Sequence, residues 1–232
     1  MNQENVDIFS AENTKNPLYL HVAKTYGWMF IGLFITFATA LAFCHTGAIL
    51  LMVTVPALPF ILAIALIVLV VVVSVKIKKL KVSTAKILFV AYSFFIGITL
   101  TPILIQYGVG SALTAFGITA VFFGILAGAG LVTKKDLSKF GPMILIALIV
   151  LVVVTFISIF IRADILDMMI SYIGVLIFFG VTAYDSNKIR SFYYTYQDQP
   201  EMLERASIYS ALSLYLDFIN LFIYIFRLGK RK

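Results

Sequence analysis

Unbroken apolar runs of about twenty residues recur along the chain, most clearly over 57–75 and 143–161, and they constrain the fold more than any other feature. In lipid every backbone N–H and C=O must be satisfied within the protein, which leaves helices or a closed barrel. Barrel strands would alternate apolar and polar residues over about ten positions. Continuous runs of about twenty have the length of a membrane-crossing helix instead. Composition agrees: 62% of the 232 residues are hydrophobic and 12% charged, against about 25% charged in a soluble domain. The expectation is an all-α membrane protein with almost no soluble part.

Spans are expected at 26–44, 57–75, 86–106, 112–133, 142–161, 167–190 and 206–227. That divides the chain into an N-terminal cytoplasmic tail, 1–25, and a seven-helix transmembrane domain, 26–232. The tail has no basic start, apolar core and cleavage site, so no signal peptide is expected ahead of the first span. Counting Lys15 and Lys24, thirteen of the eighteen basic residues fall on one side of the alternating connections, including Lys76, Lys78, Lys79, Lys81, Lys134 and Lys135. The positive-inside rule makes that side cytoplasmic and puts the N-terminus there. The basic end, Arg227 to Lys232, fits less well. A full seventh span leaves it outside, whereas a re-entrant final segment would return it inside; full crossing is the reading preferred. A net charge of +7 distributed this way marks topology and lipid headgroups, and no nucleic-acid partner is expected. The single cysteine, Cys44, excludes an intramolecular disulfide.

Of the eleven acidic residues, Asp185 and Asp217 interrupt apolar helices. A carboxylate at that depth costs a few kcal/mol and needs a reason. Ser210, Ser213, Asp217, Asn220 and Tyr224 follow spacings of three and four, one polar stripe opposite Leu212, Leu216, Ile219 and Ile223. Asp185 shares a face with Ser171, Gly174, Phe178 and Thr182. Ser93, Gly97 and Thr101 form a similar stripe, and Gly124 and Gly128 give the small-residue spacing of helix packing.

If the two carboxylates meet inside the bundle, both cannot ionise cheaply, and the pair would share a proton. The same oxygens suit a hard cation, so proton and cation would compete for them. The residues alone leave open a pH-gated cation site and a proton-coupled path. For Asp185 the bland alternative is a helix-end ion pair with Lys188 or Arg190; for Asp217 it is a structural hydrogen bond. Contact between the two requires tilt, or a sixth helix running past residue 190; the stretch 186–196 contains no Gly or Pro to prevent that. His21 is expected in the tail and His45 at the outer end of the first span. With no metal-ligand spacing, no nucleophile beside a base and no phosphate-binding loop, no enzyme is expected.

The stretches Gly174-Val-Leu-Ile-Phe-Phe-Gly-Val-Thr-Ala-Tyr-Asp-Ser-Asn-Lys-Ile-Arg190 and Ala211-Leu-Ser-Leu-Tyr-Leu-Asp-Phe-Ile-Asn-Leu-Phe222, with the weaker Phe95-Ile-Gly-Ile-Thr-Leu-Thr-Pro102, resemble the Bax inhibitor-1 family of membrane proteins. The resemblance runs from Asn16 onward. It implies seven helices with the last one central, and, as in bacterial members, a pH-sensitive calcium leak; the short loops and lack of long extramembrane domains fit the inner (plasma) membrane of a bacterium, a eukaryotic endoplasmic reticulum relative being the alternative. It also implies that Asp185 and Asp217 share a proton in a closed state that opens on deprotonation. Ca²⁺ would then be the transported ion, with Asp185 and Asp217 as ligands, Thr182, Ser213 and Asn220 as secondary oxygens, and no permanently bound cofactor. Some relatives latch the pair with an arginine near the end of the second helix. Here Lys78, Lys79 and Lys81 occupy that region, of which Lys79 and Lys81 are candidates for a basic latch, without the bidentate fork of a guanidinium. The family implies partners besides lipid, Ca²⁺ and protons, namely other membrane proteins, including a membrane protease. The competing reading is accordingly an interaction protein that modulates the stress response. A proton-coupled solute transporter would predict an internal repeat, and none is evident.

Overall fold

The structure is a computed structural model that describes residues 17–47, 50, 54–76, 79–133, 135–161 and 163–229. The tail before Pro17, together with Lys78, Lys134, Arg162 and the basic end 230–232, lies outside the described residues. Among the described residues six long helices follow one another: α1 (Leu18–Thr46), α2 (Leu58–Lys76), α3 (Val82–Val132), α4 (Gly141–Ile161), α5 (Asp164–Tyr196) and α6 (Pro200–Gly229). One 3-10 turn, Ser138–Phe140, precedes α4, and no strand occurs among the described residues. Five of the helices are long and apolar enough to cross a membrane; α2 supplies a shorter apolar stretch, Leu58–Val73.

At 51 residues α3 is too long for one crossing. At 1.5 Å per residue it would reach about 77 Å, against about 30 Å of hydrocarbon. It is broken at Gly108, whose φ of 79° and ψ of 153° suit glycine alone. Leu100 and Leu104 before the break line the same small apolar cavity as Ala112 and Phe116 after it. In a straight helix Leu100 and Phe116 would stand about 24 Å apart, so the chain turns back at Gly108. The expected connection over 107–111 is therefore a single-residue break inside continuous helix.

Side-chain pairings give the directions. Thr25 bonds Ser207 at 3.0 Å and Thr36 bonds Tyr215 at 2.6 Å, so α1 runs parallel to α6. The first arm of α3 does the same, from Lys86 on Glu204 (2.7 Å) to the Tyr107 ring 5.2 Å from Phe226. The second arm leaves Phe116 and Phe123 on Phe218 and ends with Gly130 against Ala183 of α5. α5 is antiparallel to α6, with Phe178 on Tyr224 and Phe192 on Tyr209. α6 buries 67% of its most apolar stretch, and the other candidate spans 39% or less. Leu212, Leu216, Ile219 and Ile223, the face opposite the polar stripe, are buried or half-buried rather than turned out to lipid.

α1 starts at Leu18, eight residues before the expected span, behind an extended Pro17. His21 and Thr25 are buried in it, His21 beside Tyr193 and Thr25 on Ser207, so His21 is not a tail residue. Hydropathy misses this turn because its polar side chains face protein.

Tyr215, fully buried, ties three helices at one point. Its rim meets the rings of Phe89 and Tyr92, and its hydroxyl meets Thr36 Oγ1, which itself donates to the Ser93 carbonyl at 2.9 Å. Tyr215→Phe removes only that hydroxyl. The expected result is a loss of about 1 kcal/mol, read as a drop of a few degrees in the detergent-solubilised Tm.

Candidate functional site

The α5–α6 register brings the two intrahelical acids level. Asp185 lies midway between Phe178 and Phe192; their partners Tyr224 and Tyr209 have their midpoint between Leu216 and Asp217. Gly174 permits this approach, because a Cβ there would stand 2.8 Å from the Tyr224 ring. α5 does run past residue 190, to Tyr196, which removes the difference in depth. Asp217 is 4% exposed, its Oδ2 has no hydrogen-bond partner among the described residues, and the charge acting on it is that of Asp185. Asp185 is half-buried. Neither forms a salt bridge among the described residues, and the cation acting on Asp185 is Lys188. A buried carboxylate oxygen without a partner is costly, and a proton or a metal cation would complete it. No group of three or more His, Cys, Asp or Glu side chains gathers among the described residues.

The secondary residues lie within about one turn of the pair along α5 and α6. Thr182 donates to the Phe178 carbonyl at 2.7 Å and Asn220 to that of Leu216 at 2.8 Å, each on its own helix, while Ser213 is half-buried. No hydrogen bond among the described residues joins any of the three to either carboxylate. Lys79 and Lys81 are exposed in the α2–α3 connection, so the expected latch is not assembled. Lys81 precedes Lys86, whose partner Glu204 comes thirteen residues before Asp217 on α6, about 20 Å along the axis and beyond the reach of a lysine. Glu204 also takes Lys24, at 3.2 Å, and so clasps α1, α3 and α6 together.

Sequence reasoning missed what surrounds Asp185. α3 ends without a glycine cap, and its last carbonyls need donors. Asn187 donates to the carbonyls of Gly130 and Thr133, each at 3.1 Å, and accepts from the Leu137 N–H at 3.3 Å. Arg190 donates to the Leu131 carbonyl at 3.1 Å, so it is a cap and not an ion-pair partner of Asp185. The signal was present in the polar run after Asp185, on a helix that continues. Beside the caps opens a polar cleft with Lys135, Asp136, Arg190, Ser191 and Tyr194 on its walls. There the hydroxyl and backbone N–H of Ser138 hold the Asp136 carboxyl below its usual range. Asn187→Ala strips donors from two carbonyls and the acceptor from one N–H. The expected cost is about 1–3 kcal/mol, measured by thermal or denaturant unfolding of the purified protein, with Asn187→Asp only partly restoring it.

Comparison with known proteins places these residues among relatives. The family model described as inhibitor of apoptosis-promoting Bax1 matches residues 19–231. The inner membrane protein YbhL of Escherichia coli K12 is 37% identical over 218 residues, 93% of each chain. An uncharacterized protein of Deinococcus radiodurans is 36% identical over 95% of this chain and 94% of its own. One from Borreliella burgdorferi is 36% identical over 91% and 92%.

Proposed function

This chain belongs to the Bax inhibitor family of membrane proteins, and from that premise we propose that it is a pH-sensitive calcium leak of an inner membrane, gated by Asp185 and Asp217. The observation that carries the reading is the unpartnered Oδ2 of Asp217, buried level with a second carboxylate. With one proton between them the pair is held together and the path is shut. When the proton leaves, two like charges in a poorly polarisable interior repel each other. α5 and α6 then separate locally, and the exposed oxygens become a transient binding step for Ca²⁺, which competes with the proton.

In this reading α1, α2, the two arms of α3, α4, α5 and α6 make seven crossings with α6 central and the N-terminus cytoplasmic. The reversal at Gly108 and the burial of α6 support it. So does the gathering of Lys24, Lys86 and Glu204 at the end where α5 passes into α6. Reconstitution into liposomes loaded with a Ca²⁺ indicator, scanned from mildly acid to mildly alkaline pH, tests the function directly. The relative named an inner membrane protein supports the location, which fractionation of the native membrane checks.

A further inference from the structure

Lys188 follows Asp185 by one helical turn, on the side of the pair toward the Glu204 end of the bundle. Its ammonium is held by three rings: Tyr184 at 5.7 Å, Phe192 at 5.4 Å and Tyr209, across the seam on α6, at 5.5 Å. These distances are those of cation–π contacts. Tyr184 is itself seated, since its hydroxyl stands 2.9 Å from where a Cβ on Gly141 would be. No carboxylate forms a salt bridge with Lys188 among the described residues. The neutral rings fix the ammonium's position without seating a carboxylate on it, and the acid it acts on is Asp185, one turn away. The other nearby bases are committed elsewhere: Arg190 to the Leu131 carbonyl, Lys24 and Lys86 to Glu204.

We propose that Lys188, fixed in its three-ring box in the α5–α6 seam, is a valence-selecting barrier that slows divalent cations more than monovalent ones on their way between the Glu204 end and the aspartate pair. The proposal rests on the gate reading above and adds its selectivity. A fixed unit charge repels a divalent ion with twice the energy it exerts on a monovalent one. The barrier factor for Ca²⁺ is therefore the square of that for Na⁺ or K⁺. Such a residue makes the path a slow leak rather than a fast channel.

The test compares Ca²⁺ and Na⁺ fluxes into indicator-loaded liposomes, at low and high ionic strength, for wild type, K188M, K188R and Tyr209→Leu. K188M is expected to raise Ca²⁺ flux by roughly three- to tenfold and Na⁺ flux by about the square root of that, with the gain shrinking in high salt. K188R keeps the charge and is expected to stay within about twofold of wild type. Tyr209→Leu, which keeps the lysine but opens the box, should raise the Ca²⁺ to Na⁺ ratio part of the way. It stands in if K188M does not fold. Equal proportional changes in both fluxes, or K188R behaving like K188M, would overturn the proposal. So would a Tyr209→Leu ratio equal to wild type. A wild-type protein that carries no Ca²⁺ at any pH sinks the gate reading first; a conducting wild type with an unmoved ratio in K188M sinks only this inference.

Discussion

Asp217→Asn is expected to abolish the pH dependence of Ca²⁺ flux and to lower the flux at the alkaline end by tenfold or more. Asparagine keeps the volume and one carbonyl oxygen but can neither release a proton nor carry charge. The pair then has no repulsive state to open it, and Ca²⁺ loses one of its two carboxylates. The same substitution should not unfold the protein. Asp217 Oδ2 is buried without a hydrogen-bond partner among the described residues, so a neutral isostere removes a desolvated charge and no visible bond. The expected Tm is equal to wild type or slightly higher. A lower Tm with normal pH-dependent flux would mean that Asp217 is a structural acid. Asp185→Asn is expected to reproduce the flux defect more weakly, because Asp185 is only half-buried.

The largest expected effect on folding comes from Gly130→Ala. A Cβ at Gly130 would stand 2.3 Å from the Ala183 carbonyl oxygen and 2.9 Å from the Ser186 Cβ. The first neighbour is backbone of α5, which cannot rotate away as a side chain would. Relief requires the end of α3 to move off α5, and that also pulls the Gly130 carbonyl away from Asn187. Overpacking of this kind costs about 1–3 kcal/mol or more, and the lost cap adds about 1 kcal/mol. Such a loss would greatly reduce the yield of folded protein in the membrane. Gly128→Ala is the control, because nothing lies within 4 Å of a Cβ there. It is expected to leave Tm unchanged or raise it slightly through helix propensity. Size-exclusion profiles and thermal unfolding of the two variants side by side decide the matter.

That pair of glycines also shows how far the sequence could be read. Gly124 and Gly128 have the spacing of a packing motif, yet both face open space, while the close contacts fall at Gly32, Gly97, Gly130, Gly141 and Gly174. Spacing reports which residues share a face and says nothing about which face meets a neighbour. The apolar runs and the two misplaced acids were legible because lipid imposes one requirement on every residue in it. The pairing of Asp185 with Asp217 was legible only as a condition, since it depended on α5 continuing to Tyr196. The capping by Asn187 and Arg190 showed in the sequence only as a polar run. A polar side chain that caps a distant helix looks, in one dimension, like the solvated end of its own. The early start of α1 at Leu18 was hidden for the same reason: His21 and Thr25 are polar by composition and buried by contact.

The central claim is that the state of the aspartate pair sets the Ca²⁺ permeability of the membrane. The most direct test is the initial rate of Ca²⁺ entry into indicator-loaded liposomes holding the wild-type protein, measured across pH at fixed ionic strength and lipid composition. The account predicts a low rate in acid that rises several-fold through a single sigmoid as the pH is raised, above a flat protein-free control. A rate that matches the protein-free liposomes, or that does not change with pH, would contradict it.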